Sequence, residues 1–345
     1  MFLVLLVAVG VFVAVRLAET PERGDRAAFW QTLRRADKAW LTAALFCTCV
    51  SVLCDVKKLQ VFLRATGVAA RFRVALRAVL TGKFYDGITP LALGGQPAQM
   101  VVLSQTEPLG AATAAPTLSY LIQSFTGIFV AGCLMLGNPH ALIYAEPSVK
   151  TVFTVAAGVG LCLNALGPLA LVLLTVAPHL IETIAEWLVK AAEKLRWSKN
   201  GTLRTRVQKG IFNYKSAVRW MAKQKEKLLV AVGWSVVGTL ALFSVPYCLF
   251  VSLGGVNCSG ALWLDTVTLN CFLLYSSACF PLPGGTGYAE TVFSFFFSGI
   301  RLQSNVLCWI VLLWRFFTYY VFLVYGIAAS AVRFLSSLLR RKKER

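Results

Sequence analysis

Three long stretches without any charged residue constrain this chain more than any other feature. Residues 113–137, 151–177 and 228–253 contain no Asp, Glu, Lys or Arg. Each is long enough to supply the roughly 20 apolar residues that an α-helix needs to cross a bilayer. The sequence is 57% hydrophobic and 14% charged, whereas soluble domains carry about 25% charged residues. The sequence therefore predicts an all-α polytopic membrane protein folded as a helical bundle.

Shorter apolar segments complete the expected bundle. Residues 1–15 lack a basic n-region and a small-residue cleavage site after them, which favours a retained first span over a signal peptide. We predict a short second span over 39–54, beginning at Trp40, and a last span over 305–332.

The distribution of basic residues predicts the orientation. Residues 57–77 contain six basic and no acidic residues, 178–227 contain twelve basic and four acidic, and 333–345 contain six basic and one acidic. Because Lys and Arg concentrate in cytoplasmic loops, we place all three segments, and so the C-terminus, in the cytoplasm. Segment 178–227 mixes Trp with basic residues, as is typical of an amphipathic segment lying on a leaflet. No compact basic domain is present to hold nucleic acid, so we predict no nucleic-acid partner.

This orientation makes two apolar stretches return to the side from which they came. Residues 78–103 begin and end inside, and 263–300 begin and end outside if 138–149, which has no Lys or Arg, is external. The first stretch is either a re-entrant hairpin or two short spans. Two broken, re-entrant hairpins entering from opposite faces are typical of an inverted repeat with a central site. We predict a single membrane domain over 1–345, with a first half 1–177, a cytoplasmic segment 178–227, a second half 228–332 and a tail 333–345.

Each returning stretch contains a polar interruption rich in glycine and proline. One runs from Asp86 to Gln99, and the other from Pro281 to Glu290. In a bilayer, non-helical backbone beside a charge is tolerated only where protein encloses it or where it lines a cavity. We therefore predict a ligand site inside the membrane. The candidate substrate-binding residues are Asp86, Thr89, Pro90, Gly94, Gly95, Gln96, Gln99, Pro283, Gly284, Gly285, Gly287, Glu290 and Arg315.

Two charges in the second half of the chain have two interpretations. If a half-helix starts near Tyr288, Glu290 lies in its first turn, where the helix dipole favours a carboxylate. Arg315 could pair with Glu290, or it could bind a phosphate through two parallel hydrogen bonds. A structural ion pair that holds the hairpins together and a pair that opens for a lipid phosphate both remain open.

The first interruption raises similar alternatives. Lys83 and Asp86 are three residues apart and could share a helix face. For Lys83 we expect a local ion pair near the interface, with its stem snorkelling outward. Asp86 adjoins the Thr89–Pro90 break, which favours a functional role. Gln96 either satisfies freed backbone groups or contacts a ligand.

The sequence offers little material for metal or cofactor chemistry. The ten cysteines include no Cys-x-x-Cys pair, and His140 and His179 are the only histidines. The run Gly284–Gly287 lacks the Lys-Ser/Thr that would follow in a nucleotide-binding P-loop. We predict no metal site, no cofactor and no catalytic residue.

Both interruptions resemble the membrane domain of lysylphosphatidylglycerol synthases and their stand-alone, flippase-like relatives. The run Phe84–Pro97 is similar to one motif of that family, which usually has Asn where Asp86 stands. The run from Pro281 to Glu290 resembles its Pro-Gly-Gly…Glu element, and Trp314-Arg315 followed by Tyr319-Tyr320 resembles its late Arg-containing span.

The resemblance implies a function. Full-length members join this membrane domain to a cytosolic domain that transfers lysine from lysyl-tRNA to phosphatidylglycerol. The membrane domain translocates the product, which protects the cell against cationic peptides. Because this chain ends at Arg345, shortly after the last span, we expect the flippase part alone.

The expected function is therefore translocation or binding of an anionic or aminoacylated phospholipid, such as lysyl-phosphatidylglycerol, in a bacterial cytoplasmic membrane. The expected consequence is antibiotic resistance of the cationic-peptide type. The alternatives are a lipid-modifying transferase, acting by lysyl or glycosyl transfer, and a membrane partner of a separate synthase. The expected partners are the phospholipid, the bilayer, and a separate synthase or a second copy of the chain.

Overall fold

Helices are the only regular secondary structure in the residues that the structure describes. The structure is a computed structural model, and it describes residues 33–176, 224–280, 282–300, 302 and 306–331. These contain α-helices, short 3₁₀ turns and one π-helical turn, but no strand, as the sequence predicted. The expected first span, the tail 333–345 and most of segment 178–227 lie outside the described residues. The α-helices are α1 (Lys38–Ala65), α2 (Phe72–Ile88), α3 (Gly95–Leu103), α4 (Leu109–Gly137), α5 (Pro147–Val176), α6 (Lys225–Phe243), α7 (Val245–Gly254), α8 (Gly260–Ser276), α9 (Tyr288–Phe296) and α10 (Val306–Arg315).

Five helical segments are long and apolar enough to cross a membrane, and each long span that the sequence predicted within the described residues corresponds to one of them. Helices α6 and α7 together make one span, and α10 continues through the π-helical turn Phe316–Tyr320 to form another. The five segments are Lys38–Ala65, Leu109–Gly137, Lys150–Ala170, Lys225–Gly254 and Val306–Ala331.

The prediction for α1 was wrong in length. The sequence predicted a short span over 39–54 followed by a basic loop, whereas the helix continues to Ala65. Lys58 lies inside it and is only 2% exposed. A charge count cannot separate a loop lysine from one that is paired inside the bundle, and Lys58 pairs with Asp55 at 3.0 Å. Only 66–71 remain as the loop before α2.

Contacts between α1 and the α6–α7 span define the two ends of the bundle. The Asp37 backbone N–H donates to the Ser252 carbonyl at 3.0 Å, and the Ser252 hydroxyl donates to the Asp37 carbonyl at 2.8 Å. Further along, Gly238 of α6 faces Cys54 of α1, so the two spans run antiparallel. We call the end of the bundle at Asp37 and Ser252 the first end, and the end at Ala65 the second end.

The first hairpin, residues 72–103, enters from the second end. Helix α2 follows the end of α1 after a loop of six residues, and the chain breaks at Thr89 and returns as α3. Gly95 donates its N–H to Asp86, and Gly82 faces the Gln99 side chain. Asp86 and Gly95 lie close to the break, and Gly82 and Gln99 lie further from it on their respective helices. Helices α2 and α3 are therefore side by side and antiparallel.

The second hairpin, residues 260–296, enters from the first end, where α7 finishes. Its two arms are α8 and α9. Phe280 stacks on Tyr288 with ring centroids 4.4 Å apart, and Phe272 lies 6.1 Å from Phe296. The tips of the two hairpins, Pro90–Ala92 and Pro283–Gly285, contact each other inside the bundle. Broken hairpins entering from opposite ends are the arrangement that the sequence predicted.

Aromatic packing fixes α10 against the second hairpin. Phe293 of α9 lies 4.8 Å from Trp314 and 4.4 Å from Phe297, measured between ring centroids. Phe250 of α7 packs on Phe297 at 5.1 Å. Phe250, Phe293 and Phe297 are completely buried. Because closely packed aromatic rings resist displacement, this cluster holds the following residue, Arg315, at a fixed height beside the hairpin tip.

A glycine in α5 allows this helix to approach the second hairpin. A Cβ at Gly160 would overlap the backbone carbonyl of Tyr275, whereas a Cβ at Gly158 would meet nothing within 4 Å. We expect Gly160→Ala to lower the free energy of unfolding by about 1–3 kcal/mol, since a backbone carbonyl cannot move aside as a flexible side chain can. Gly158→Ala is the matched control and should leave it unchanged or slightly higher. Thermal unfolding of both variants in detergent, followed by circular dichroism, tests this, and equal midpoints would contradict the close approach.

Candidate functional site

The tip of the second hairpin surrounds the Arg315 guanidinium. Gly284 and Gly285 both have left-handed backbone, with φ of 60° and 62°. Their carbonyls accept hydrogen bonds from Nη1 and Nη2 of Arg315, each at 3.1 Å. The left-handed backbone of Gly284 and Gly285 therefore directs both carbonyls toward the Arg315 guanidinium.

Glu290 completes this arrangement. Its Oε1 lies 2.9 Å from Arg315 Nε, and its Oε2 accepts from Nη2 at 3.3 Å and from the Gly287 N–H at 2.7 Å. Helix α9 begins at Tyr288, so Glu290 is in its first turn, and the pairing that the sequence suggested is present. Arg315 is 6% exposed. A buried guanidinium is tolerated because the carboxylate and two carbonyls replace its water.

Tyr319 connects the two hairpin tips, and the sequence singled it out only as part of the family resemblance. Its hydroxyl donates to the Gly87 carbonyl at 3.0 Å, and its ring lies against the Cα of both Gly87 and Gly284. The π-helical turn Phe316–Tyr320 follows Arg315 directly, and such turns are frequent at functional sites. A π-helical turn has no reliable sequence pattern, so this bridge could not be predicted.

The tip of the first hairpin is held by side chains that bind its own backbone. Asp86 Oδ1 accepts the Gly95 N–H at 2.8 Å. The Thr89 hydroxyl donates to the Tyr85 carbonyl at 2.7 Å and accepts the Gly94 N–H at 2.9 Å. These bonds satisfy donors that a broken helix leaves open. Thr89 and Gly94 therefore shape the turn.

The predicted ion pair of Lys83 was assigned to the wrong partner. Lys83 Nζ lies 2.8 Å from Asp55 Oδ2 in α1, not against Asp86. Asp55 Oδ1 also pairs with Lys58 at 3.0 Å, so one carboxylate lies between two ammonium groups. Helix α1 carries this carboxylate to the level of α2, and a long-range contact of this kind outweighs the local spacing of three residues.

A polar network extends from Lys58 to α4 and α6, and the sequence did not predict it. Lys58 donates to the Gln123 side-chain carbonyl. This carbonyl also accepts from Ser235 at 2.8 Å, and the Gln123 amide donates to Thr239 at 3.0 Å. Uncharged polar residues inside apolar runs were the available signal, because buried polar side chains need partners.

Two adjoining cavities lie between the hairpins and the surrounding helices. The first, which we call the Arg cavity, has a volume of about 420 Å³ and is lined by Arg315, Gly284 and Gly285 among others. The second, which we call the Lys cavity, has a volume of about 340 Å³ and is lined by Lys58 and Lys83 among others. The residues that line both cavities are Asp86, Ala92, Leu242, Phe243, Leu274 and Tyr275.

The structure thus divides the predicted site between two cavities and the turns that support them. Asp86 stands at their junction, Gln96 and Gln99 line the Lys cavity, and Arg315 lines the Arg cavity. Glu290 forms an ion pair with Arg315 but lines neither cavity. Among the described residues, no group of three His, Cys, Asp or Glu could hold a metal ion. The predicted residues that belong to the turns without lining a cavity are Thr89, Pro90, Gly94, Gly95, Pro283 and Gly287.

Helical spans, two opposed broken hairpins and charged cavities between their tips define a polytopic membrane protein with an internal polar site. Residues 1–326 match the family described as the lysylphosphatidylglycerol synthase TM region, and the chain belongs to this family. A UPF0104 membrane protein of Archaeoglobus fulgidus is 22% identical over 306 residues, which cover 86% of this chain and 87% of the relative. Another UPF0104 membrane protein, from Pyrococcus horikoshii, is 20% identical over 294 residues, which cover 84% and 85% of the two chains.

Proposed function

We propose that this protein translocates phospholipids by passing their head groups between the two hairpin tips. The observation that carries the proposal is the pair of adjoining cavities, each lined by charged side chains, that meet at Asp86 inside the bundle. Charges at such positions are costly in a membrane and usually mark a substrate path. The proposed substrate is an anionic or aminoacylated phospholipid such as lysyl-phosphatidylglycerol.

Arg315 is the proposed phosphate ligand in the Arg cavity. The Gly284 and Gly285 carbonyls hold two of its nitrogens, so the guanidinium keeps its position if Glu290 is displaced. A phosphate can take the place of the Glu290 carboxylate, because both accept two parallel hydrogen bonds from arginine. Exchange of one anion for another avoids leaving the buried cation unpaired, which is the costly state.

Asp86 and Glu290 are the proposed partners of a cationic amine on an aminoacylated head group. The Gly95 N–H holds one oxygen of the Asp86 carboxylate, and Asp86 lines both cavities. A head group in either cavity can therefore meet the same carboxylate. Glu290, once displaced from Arg315 by phosphate, would be free to bind the amine.

We further propose that the C-terminal tail is cytoplasmic, since it carries six basic residues and one acidic residue. In this orientation, export of an aminoacylated lipid lowers the negative charge of the outer leaflet and weakens the binding of cationic peptides. A separate synthase that supplies the lipid, or a second copy of the chain, is the proposed protein partner.

Reconstitution into liposomes tests the proposal. Liposomes that contain fluorescent phosphatidylglycerol are treated with dithionite, which bleaches only the outer leaflet. We expect wild-type protein to expose the inner-leaflet label, and the double variant Glu290→Gln, Arg315→Ala to expose it at least tenfold more slowly. The double variant removes both members of the ion pair, so neither is left buried without its partner.

The control variant is Lys57→Gln, which replaces an exposed lysine of α1 and should exchange lipid at the wild-type rate. Equal rates for the wild type and a folded double variant would refute the assignment of the site. A wild-type rate equal to that of empty liposomes would refute translocation. A new aminoacyl lipid formed from charged tRNA and phosphatidylglycerol would instead support a transferase.

A further inference from the structure

The Lys cavity is lined by two lysines and two aspartates, but only one of the aspartates pairs with the lysines. Lys58 and Lys83 share the single carboxylate of Asp55, at 3.0 and 2.8 Å. Asp86, the other carboxylate lining this cavity, forms no ion pair with either lysine and is bound to the Gly95 N–H. The three ion-paired side chains, Asp55, Lys58 and Lys83, therefore have a net charge of +1, and Asp86 offsets this charge without pairing with either lysine.

The same lysines retain unused hydrogen-bond donors. Each ammonium group has three N–H bonds. Within the part of the chain that the structure describes, Lys58 donates to Asp55 and Gln123, and Lys83 donates to Asp55. Three donors thus remain across two side chains that line one cavity. Inside a membrane protein, unused donors on buried ammonium groups are costly unless an anion or water accepts them.

Two amide side chains from the first hairpin face the same space. Gln96 and Gln99 are one helical turn apart in α3 and both line the Lys cavity. Neither side chain has a hydrogen-bond partner among the described residues. Amide N–H₂ groups beside two lysines add neutral donors, which suit an anion with several oxygens better than a monatomic one.

We propose that Lys58 and Lys83, assisted by Gln96 and Gln99, form a second phosphate-binding site, separate from Arg315. Its ligand is a phosphate group, carried by a phospholipid head group or present as free phosphate. Asp55 pairs with both ammonium groups and so competes with the ligand for their N–H donors. Only the lipid source of the phosphate depends on the function proposed above, since anion binding itself requires no transport.

The test uses the full-length chain in detergent and measures binding by calorimetry. Inorganic phosphate and short-chain phosphatidylglycerol are the two ligands, and the double variant Glu290→Gln, Arg315→Ala is the background that removes the Arg cavity site. In this background we expect binding to persist. Lys83→Gln should weaken it about tenfold, as for the loss of one charge-assisted hydrogen bond. Lys83→Arg should largely restore it.

Substitution of Asp55 should change phosphate affinity in the opposite direction from Lys83→Gln. This difference distinguishes a ligand site from an ion pair that only stabilises the fold. Asp55→Asn removes the competing carboxylate and should tighten phosphate binding several-fold, and phosphate should raise its thermal midpoint more than that of the wild type. Lys57→Gln should change nothing. The site is refuted if Lys83→Gln and Asp55→Asn bind both ligands as Lys57→Gln does. Binding of only the lipid, or of only inorganic phosphate, identifies the source of the phosphate.

Discussion

Replacement of Arg315 by methionine should lower the free energy of unfolding by about 3–5 kcal/mol, the cost of breaking one partner out of a buried ion pair. The variant leaves the Glu290 carboxylate without its cation, and the carbonyls of Gly284 and Gly285 lose their donors. Methionine has a similar length, so the change removes charge and hydrogen bonds with little loss of volume. Unfolding of the purified protein in mixed micelles with increasing dodecyl sulfate measures the effect.

Two further variants show whether the pair or the arginine alone accounts for this loss. Glu290→Gln should cost less than Arg315→Met, because glutamine can still accept the Gly287 N–H and Arg315 keeps both carbonyls. The double variant Glu290→Gln, Arg315→Met should lose less stability than the sum of the losses in these two single variants, since they share one interaction. Arg64→Met replaces an exposed arginine and is the control. If Arg315→Met unfolds at the same point as Arg64→Met, the guanidinium does not hold the hairpin tip.

The bundle and its hairpins could be predicted from the sequence because bilayer physics restricts the alternatives. A span must be apolar for about 20 residues, and the positions of the basic loops then require 78–103 and 263–300 to return. The same reasoning failed at α1. It treated Lys57 and Lys58 alike, although one is exposed and the other is buried beside Asp55. Whether a lysine is buried depends on the helices that pack around it, here α4, whose Gln123 accepts a hydrogen bond from Lys58.

In the candidate site, too, local features could be predicted from the sequence and contacts between separate helices could not. The Glu290–Arg315 pair could be predicted because a glycine turn, a helix start and a charge within an apolar run are all local features. Neither the Lys83–Asp55 pair nor the Tyr319 bridge could be predicted, because each depends on the relative height and rotation of two separate helices. A single sequence carries no direct record of these contacts.

Replacement of Gly284 by alanine should lower the free energy of unfolding by about 2–5 kcal/mol. An L-residue at the left-handed φ of 60° costs about 1–2 kcal/mol. The added Cβ would also overlap the Tyr319 ring, and overpacking of this kind costs about 1–3 kcal/mol more. Any shift of this residue also moves one carbonyl away from Arg315, so lipid exchange in liposomes should fall as well.

Gly255 provides a control that separates the two causes. It has nearly the same backbone, with φ of 61°, but a Cβ there would meet nothing within 4 Å. Gly255→Ala should therefore show only the conformational cost. The difference in unfolding free energy between the two variants measures the contact with the Tyr319 ring. Tyr319 also donates a hydrogen bond to Gly87 of the first hairpin, so this contact links the two hairpins. If both variants lose the same unfolding free energy, the Tyr319 ring moves aside without cost. The ring then does not couple the two hairpin tips.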